Sequence, residues 1–106
     1  MSKQYLGTFE QVVLLALASF DDDADGMSIV DVIESTTGRE LSVPAVYVTL
    51  KRLQRKGLVD SEVRVQDTGG PPSRKYFRLE PAGLEELQKA RTLLEGLWSR
   101  AQLERP

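Results

Sequence analysis

The tightest constraint on this chain lies between Ser42 and Leu79, where an amphipathic helical repeat runs straight into two alternating segments. The repeat spans roughly Val43 to Lys56. Pro44 suits its first turn, where a missing N–H loses no partner, and either Ser42 or Val43 can serve as the cap. Gly57 terminates it. Leu58-Val-Asp-Ser-Glu-Val-Arg-Val65 then alternates, with Val59, Val63 and Val65 on one face, as a half-buried strand does. Asp67-Thr-Gly-Gly-Pro-Pro-Ser73 is dense turn punctuation. Arg74-Lys-Tyr-Phe-Arg-Leu79 returns as a second strand with Lys75, Phe77 and Leu79 on one side, which closes a hairpin.

Upstream, Met27, Val30, Ile33 and Glu34 recur at helical spacing and stop at Thr37-Gly38, about five residues before the next helix. Two helices joined by a short link, the second followed directly by a hairpin, form a winged helix-turn-helix pattern. In that motif the second helix enters the DNA major groove and the hairpin reaches the flanking backbone. At 100° per residue Val46, Leu50 and Leu53, with Thr49 nearby, form the core side of the 43–56 helix. Pro44, Tyr47, Val48, Lys51, Arg52 and Arg55 lie opposite, a face with three cations and no anion. A solvated structural helix mixes signs through (i, i+4) pairs, and this one does not.

Charge is segregated along the chain. Residues 1–38 carry one basic and seven acidic side chains, residues 39–80 nine basic and five acidic, and residues 81–106 four of each, for a net of −2. The local excess of +4 coincides with the helix and hairpin, and a local footprint matters more for nucleic acid than the overall balance. Lys51 and Arg55 can neutralise phosphates, and an arginine can fork onto guanine O6 and N7. Tyr47 can donate its hydroxyl to a phosphate, and Val48 can touch a thymine methyl. Arg74 and Lys75 follow Gly69-Gly-Pro-Pro72, a tip without bulk. Each has a plainer reading: Tyr47 as a core-edge aromatic, and Arg74 and Lys75 as cations that guard an exposed edge strand.

Two further helices flank this unit. Phe9 to Phe20, with Thr8 as its N-cap, contains the purely apolar run Val12–Ala18, which predicts a helix buried on most sides. Pro81 opens a helix to about Gln102, with Leu87, Ala90, Leu94, Leu97 and Ala101 at heptad positions and Leu84, Leu93 and Trp98 widening the stripe. That helix is over ~30 Å long, more than a small core covers, so its second half needs a partner. The expected fold is therefore mainly α with a small β-hairpin. Residues 1–80 form the winged helix-turn-helix part and residues 81–106 a C-terminal dimerisation helix, joined in one compact unit.

Cysteine and histidine are both absent. Disulfides, thiolate chemistry and the usual general base are thereby excluded, and scattered carboxylates make a poor enzyme. No catalytic residue, metal ligand or cofactor site is expected. Asp21-Asp-Asp-Ala-Asp-Gly26 imitates the first half of a calcium loop, but position 12, which needs a bidentate acid, is Val32. An acidic turn with Asp25 capping the next helix is the better reading. No apolar run is long enough to span a membrane and no export signal opens the chain, so the cytoplasm is the default address.

These residues resemble the PadR transcriptional regulators. Leu6-Gly-Thr-Phe-Glu-Gln-Val-Val-Leu-Leu-Ala-Leu17 is similar to the family's first-helix signature. Ser42-Val-Pro-Ala-Val-Tyr-Val-Thr-Leu-Lys-Arg-Leu-Gln-Arg-Lys-Gly-Leu-Val59 is similar to its recognition helix. Arg74-Lys-Tyr-Phe-Arg-Leu79 and Pro81-Ala-Gly83 resemble its wing and the entry to its last helix. Asp25 stands where an aromatic residue is common in the family, and Glu80 where threonine is.

The resemblance implies a homodimeric repressor bound to double-stranded operator DNA, of the short-tailed branch with a single final helix. In such dimers the last helix packs on the first helix of the partner, which assigns Phe9, Val13, Leu17, Leu87, Leu94, Leu97, Trp98 and Ala101 to the interface. Some members hold flat aromatic compounds there, so Trp98 is also a candidate for a small aromatic effector, against plain interface packing. The rival to the whole reading is a winged-helix protein–protein interaction module that does not bind DNA.

Overall fold

The computed structural model describes residues 5–65, 70 and 73–103. Its elements are α1 (Thr8–Ala18), β1 (Ala24–Asp25), α2 (Gly26–Thr37), α3 (Val43–Arg55), β2 (Val59–Val65), β3 (Ser73–Leu79) and α4 (Pro81–Arg100). The expected turn at 67–73 lies outside the described residues, apart from Gly70 and Ser73.

α1 starts one residue earlier than expected, with Gly7 and not Thr8 as N-cap. The Gly7 N–H donates to Glu10 Oε1 at 2.9 Å, and Gln11 Nε2 donates to the Leu6 carbonyl at 3.0 Å, so side chains of the first turn take up groups a helix start leaves unpaired. Val13, Leu14, Ala16 and Leu17 are buried, whereas Leu15 and Ala18 are exposed. The apolar run is thus buried on most sides, as expected, and bare along the strip of Leu15 and Ala18.

α2 begins at Gly26 behind Asp25, whose side chain accepts from Ser28 Oγ at 2.5 Å and makes no hydrogen bond to the helix backbone. Ile29, Val30 and Ile33 enter the core, while Met27 is exposed. Gly38, at φ 70°, ends the helix in the left-handed region that glycine adopts without a Cβ penalty. The link to α3 is held from α2, because the Leu41 N–H donates to Glu34 Oε2 at 2.7 Å.

Ser42 caps α3: its Oγ accepts from the Ala45 N–H at 3.2 Å, leaving Val43 as the first helical residue and Pro44 in the first turn. The far end is a Schellman motif. Gly57 sits at φ 78°, its N–H donating to the Gln54 carbonyl and the Leu58 N–H to the Leu53 carbonyl, each at 3.0 Å. This reversal turns the chain straight into β2.

The sheet has three strands in the order β1-β3-β2, all antiparallel. Two-residue β1, expected as loop, adds Ala24 opposite Phe77 and Asp25 opposite Tyr76. Ala24, Val59 and Phe77 close the core, with Val46, Leu50 and Leu53 of α3 and the apolar side of α1 and α2 against them. Val63 and Val65 share a face with Val59 but are 62% and 82% exposed, since the hairpin runs out past the body. The strand alternation held; the expected half-burial of that face did not extend beyond Ser61.

Only Gly83, Leu87 and Ala90 of α4 are buried, and every residue from 91 to 100 is exposed. Gly83 permits a close approach: a Cβ there would fall on the Leu58 carbonyl oxygen and 2.7 Å from Leu79 Cδ1. That carbonyl accepts the Glu80 N–H at 3.0 Å, so α4 is seated against the start of β2. The Cα radius of gyration is 16.1 Å, against about 13 Å for a compact chain of this length. The projecting hairpin and α4 account for the excess. Among the described residues no helix is long and apolar enough to cross a membrane.

Candidate nucleic-acid interface

Burial of Val46, Thr49, Leu50 and Leu53 fixes the roll of α3 about its axis. Pro44, Tyr47, Val48, Lys51, Arg52 and Arg55 are all turned to the exposed side, as the helical wheel predicts. Lys51, Arg52 and Arg55 form no ion pair among the described residues, so the face presents three uncommitted ammonium and guanidinium groups.

The helix base is tied elsewhere. Lys56 Nζ donates to Glu10 Oε2 at 2.8 Å, joining α3 to the first turn of α1. Burial pushes the Glu10 carboxyl up, but the Lys56 hydrogen bond, the Gly7 N–H and the charges of Lys56 and Arg52 outweigh it, and its pKa lies below the ordinary value.

Tyr47 is less free than the rest of the face. Its ring meets Phe77 edge-on at 6.3 Å and lies so close to Gly26 that a Cβ there would stand 2.5 Å from Tyr47 Cε1. The side chain is 37% exposed. Tyr47 therefore combines the core-edge role with an exposed rim, braced by the first residue of α2.

In the hairpin, cross-strand pairing decides which side each charge takes. Val63 pairs with Lys75 and Arg64 with Arg74, and directly paired residues share a face. Lys75 thus stands on the same sheet face as Phe77, with its ammonium 5.7 Å from that ring's centroid. Arg74 lies on the opposite face, 3.6 Å from Asp25 Oδ2. The two neighbours expected to act together point to opposite sides of the sheet.

Arg64 and Arg78 also occupy that outer face, and neither was singled out from sequence. Arg64 pairs with Asp23 and with Glu62, and its guanidinium lies 4.3 Å from the centroid of the Tyr76 ring. Arg78 pairs with Asp60 at 3.2 Å, Asp23 at 3.7 Å and Glu62 at 3.8 Å. The alternation of Asp60, Glu62 and Arg64 could have placed them on one face, but their link to Asp23 depends on β1.

Of the residues assigned to a dimer interface, Val13 and Leu17 are buried inside the protomer, and Leu87, also buried, reaches the surface only where it lines the groove between α1 and α4. They hold the chain's own core. Phe9 is half-buried, while Leu94, Leu97 and Trp98 are exposed, Trp98 at 66%. Ala101 follows the helix in extended conformation, so it leaves the heptad stripe it was expected to extend. Between α1 and α4 runs an apolar groove of about 380 Å³, whose lining includes Leu15, Ala18, Leu84, Leu94 and Trp98.

The family described as transcriptional regulator PadR-like matches residues 14–89. No curated protein matches the chain. Among solved structures, a PadR family transcription regulator from Clostridium difficile R20291 superposes with a TM-score of 0.72 at 22% identity, covering 88% of this chain and 93% of its own. One from Eggerthella lenta has a TM-score of 0.64 at 26% identity, with coverage of 89% and 84%. Bacillus subtilis PadR, solved in complex with operator DNA, has a TM-score of 0.66 at 19% identity; 94% of this chain aligns, spanning 51% of that longer protein.

Proposed function

We propose, from the premise that this chain belongs to the PadR-like family of transcriptional regulators, that it is a homodimeric repressor whose α3 enters the DNA major groove. The carrying observation is the exposed side of α3, where Lys51, Arg52 and Arg55 stand beside Pro44, Tyr47 and Val48 without an acidic partner among the described residues. Lysine and arginine placed so neutralise phosphates, an arginine reads guanine, and Val48 meets a thymine methyl. Lys75, on the Phe77 face of the wing, adds a flanking backbone contact. Arg74 reaches DNA only by leaving Asp25. The operator complex of the B. subtilis relative supports the DNA reading over a protein-binding module.

Dimerisation is supported by the bare second half of α4. Leu93, Leu94, Leu97 and Trp98 expose a continuous apolar stripe beside the α1–α4 groove, and a second copy of α4 covers both. Twofold symmetry then presents two α3 helices to two half-sites about one helical turn apart. Trp98 anchors the partner helix in this arrangement, and a flat aromatic effector has to compete with that helix for it.

Fluorescence anisotropy tests the reading, with the DNA upstream of the chain's own gene and a scrambled duplex titrated across a salt series. The expected result is tighter binding to the true sequence, weakening steeply with salt. A flat salt response without sequence preference refutes it.

A further inference from the structure

We infer that Asp23 and Asp25 act as an electrostatic brake on the wing, holding its arginines off the phosphate backbone and so keeping binding to non-target DNA weak. The inference rests on the DNA-binding reading above and adds to it a determinant of sequence-independent DNA affinity outside the DNA-facing surface.

Among the described residues, the outer face of the hairpin carries a connected set of ion pairs. Asp23 takes Arg64 and Arg78, Asp25 takes Arg74, and Asp60 and Glu62 on β2 complete the set. Among the described residues, four carboxylates therefore face three guanidinium groups, a net charge of −1 on this side of the wing despite its arginines. The partners differ in freedom. The Asp23 and Asp25 side chains are 12% and 10% exposed, while the three arginines are 41–44% exposed. The acids belong to the body of the protein: Asp25 is strand-paired, stands at the N-cap position of α2 and accepts from the Ser28 hydroxyl. The arginines extend from the wing and are the members able to swing.

Non-specific affinity for DNA grows with the number of phosphates neutralised, whereas specific affinity adds base contacts. Three unrestrained arginines per wing would raise affinity for every sequence alike, leaving the ratio between target and non-target unchanged but holding more of the protein on non-target DNA. Pairing them with fixed carboxylates leaves α3, where the bases are read, as the main cationic surface.

The test uses the full chain and a fluorescent duplex of random sequence, with anisotropy from 25 to 200 mM salt. Asp23→Asn removes the one mostly buried carboxylate that Arg64 and Arg78 share, leaving beside them only the half-exposed Glu62 and Asp60 of the wing. The expected result is tighter binding and a salt slope steeper by about 1.8 per protomer, from two phosphates at ~0.9 each. Adding Arg64→Gln and Arg78→Gln to that variant restores the wild-type slope. A folded Asp23→Asn protein, verified by its circular dichroism melt, with an unchanged slope overturns the brake. Should Asp23→Asn fail to fold, Arg64→Gln in the otherwise unaltered chain decides. A brake leaves the wild-type slope as it was, and a loss of about one unit means the arginine already sits on phosphate and overturns it. Wild-type protein that binds neither the random duplex nor its own upstream DNA defeats the DNA reading itself and the brake with it.

Discussion

Replacing Lys51 with alanine removes one uncommitted charge from the exposed side of α3 and touches no buried contact. Lys51, Arg52 and Arg55 give three such cations per protomer, so about six phosphates are neutralised if each cation takes one in a dimer, a slope contribution of about −5.4 at ~0.9 per phosphate. Lys51→Ala deletes two of these and makes the slope shallower by about 1.8. Between 50 and 200 mM salt, a fourfold change, the variant then loses about twelvefold less affinity than the wild type. Thermal stability stays within about 0.5 kcal/mol of wild type, as for a surface site outside any network. Anisotropy titrations at four salt concentrations, run beside a melting curve, measure both quantities. A slope unchanged in Lys51→Ala, Arg52→Ala and Arg55→Ala alike, with folding intact, refutes the assignment of α3 to the phosphate backbone.

Other expectations follow from single contacts. Because the Glu10 carboxyl has a lowered pKa in the folded chain, its contribution is present above the unfolded value, ~4.3, and is lost as pH falls through the folded value. Urea titrations from pH 6 to pH 3 should show wild type losing its advantage over Glu10→Gln in that acid range, and an equal gap at every pH contradicts the ion-pair account. Gly26→Ala drives a methyl into the Tyr47 ring and should cost about 1–3 kcal/mol by overpacking; the melt reads the loss, and an unaffected melt shows that Tyr47 yields freely. Leu50→Ala, at a fully buried site on α3, should cost about 2–5 kcal/mol in the same assay. Leu97→Glu should convert the proposed dimer to monomer in light scattering without unfolding the winged-helix part, and a persistent dimer places the interface elsewhere.

The elements from Ser42 to Leu79 were legible because each carries its own punctuation. Pro44 and Gly57 bracket α3, and the period changes from helical to alternating within two residues. The cap of α3, open between Ser42 and Val43, is decided by the Ala45 N–H, a contact that sequence spacing allows but does not choose. β1 was missed because two residues cannot show a period, and an acidic run reads as loop until a neighbouring strand is available to pair with it. The α2 core face was misjudged at its start: Met27 and Ile29 are both apolar, and only tertiary packing selects Ile29. Alternation correctly put Val59, Val63 and Val65 on one face, yet a face is buried only as far as something covers it. At the candidate interface, the α3 residues emerged from the wheel. The opposed directions of Arg74 and Lys75 follow from strand period, but the capture of the wing arginines by Asp23 and Asp25 joins residues up to 55 positions apart and leaves no local signature.

The seating of α4 gives the proposed dimer a mechanical property. The helix is gripped near Gly83, Leu87 and Ala90 and is bare beyond them, so it behaves as a cantilever with its fulcrum where Gly83 meets the Leu58 carbonyl. From Gly83 to Arg100 the arm is about 25 Å at ~1.5 Å per residue. A tilt of about 5° at the fulcrum sweeps its tip through about 2 Å. With the tips fastened to one another across the twofold axis, the same tilt changes the separation of the two α3 helices instead. In the proposed dimer, the fulcrum at Gly83 thus sets the operator spacing that the two α3 helices accept.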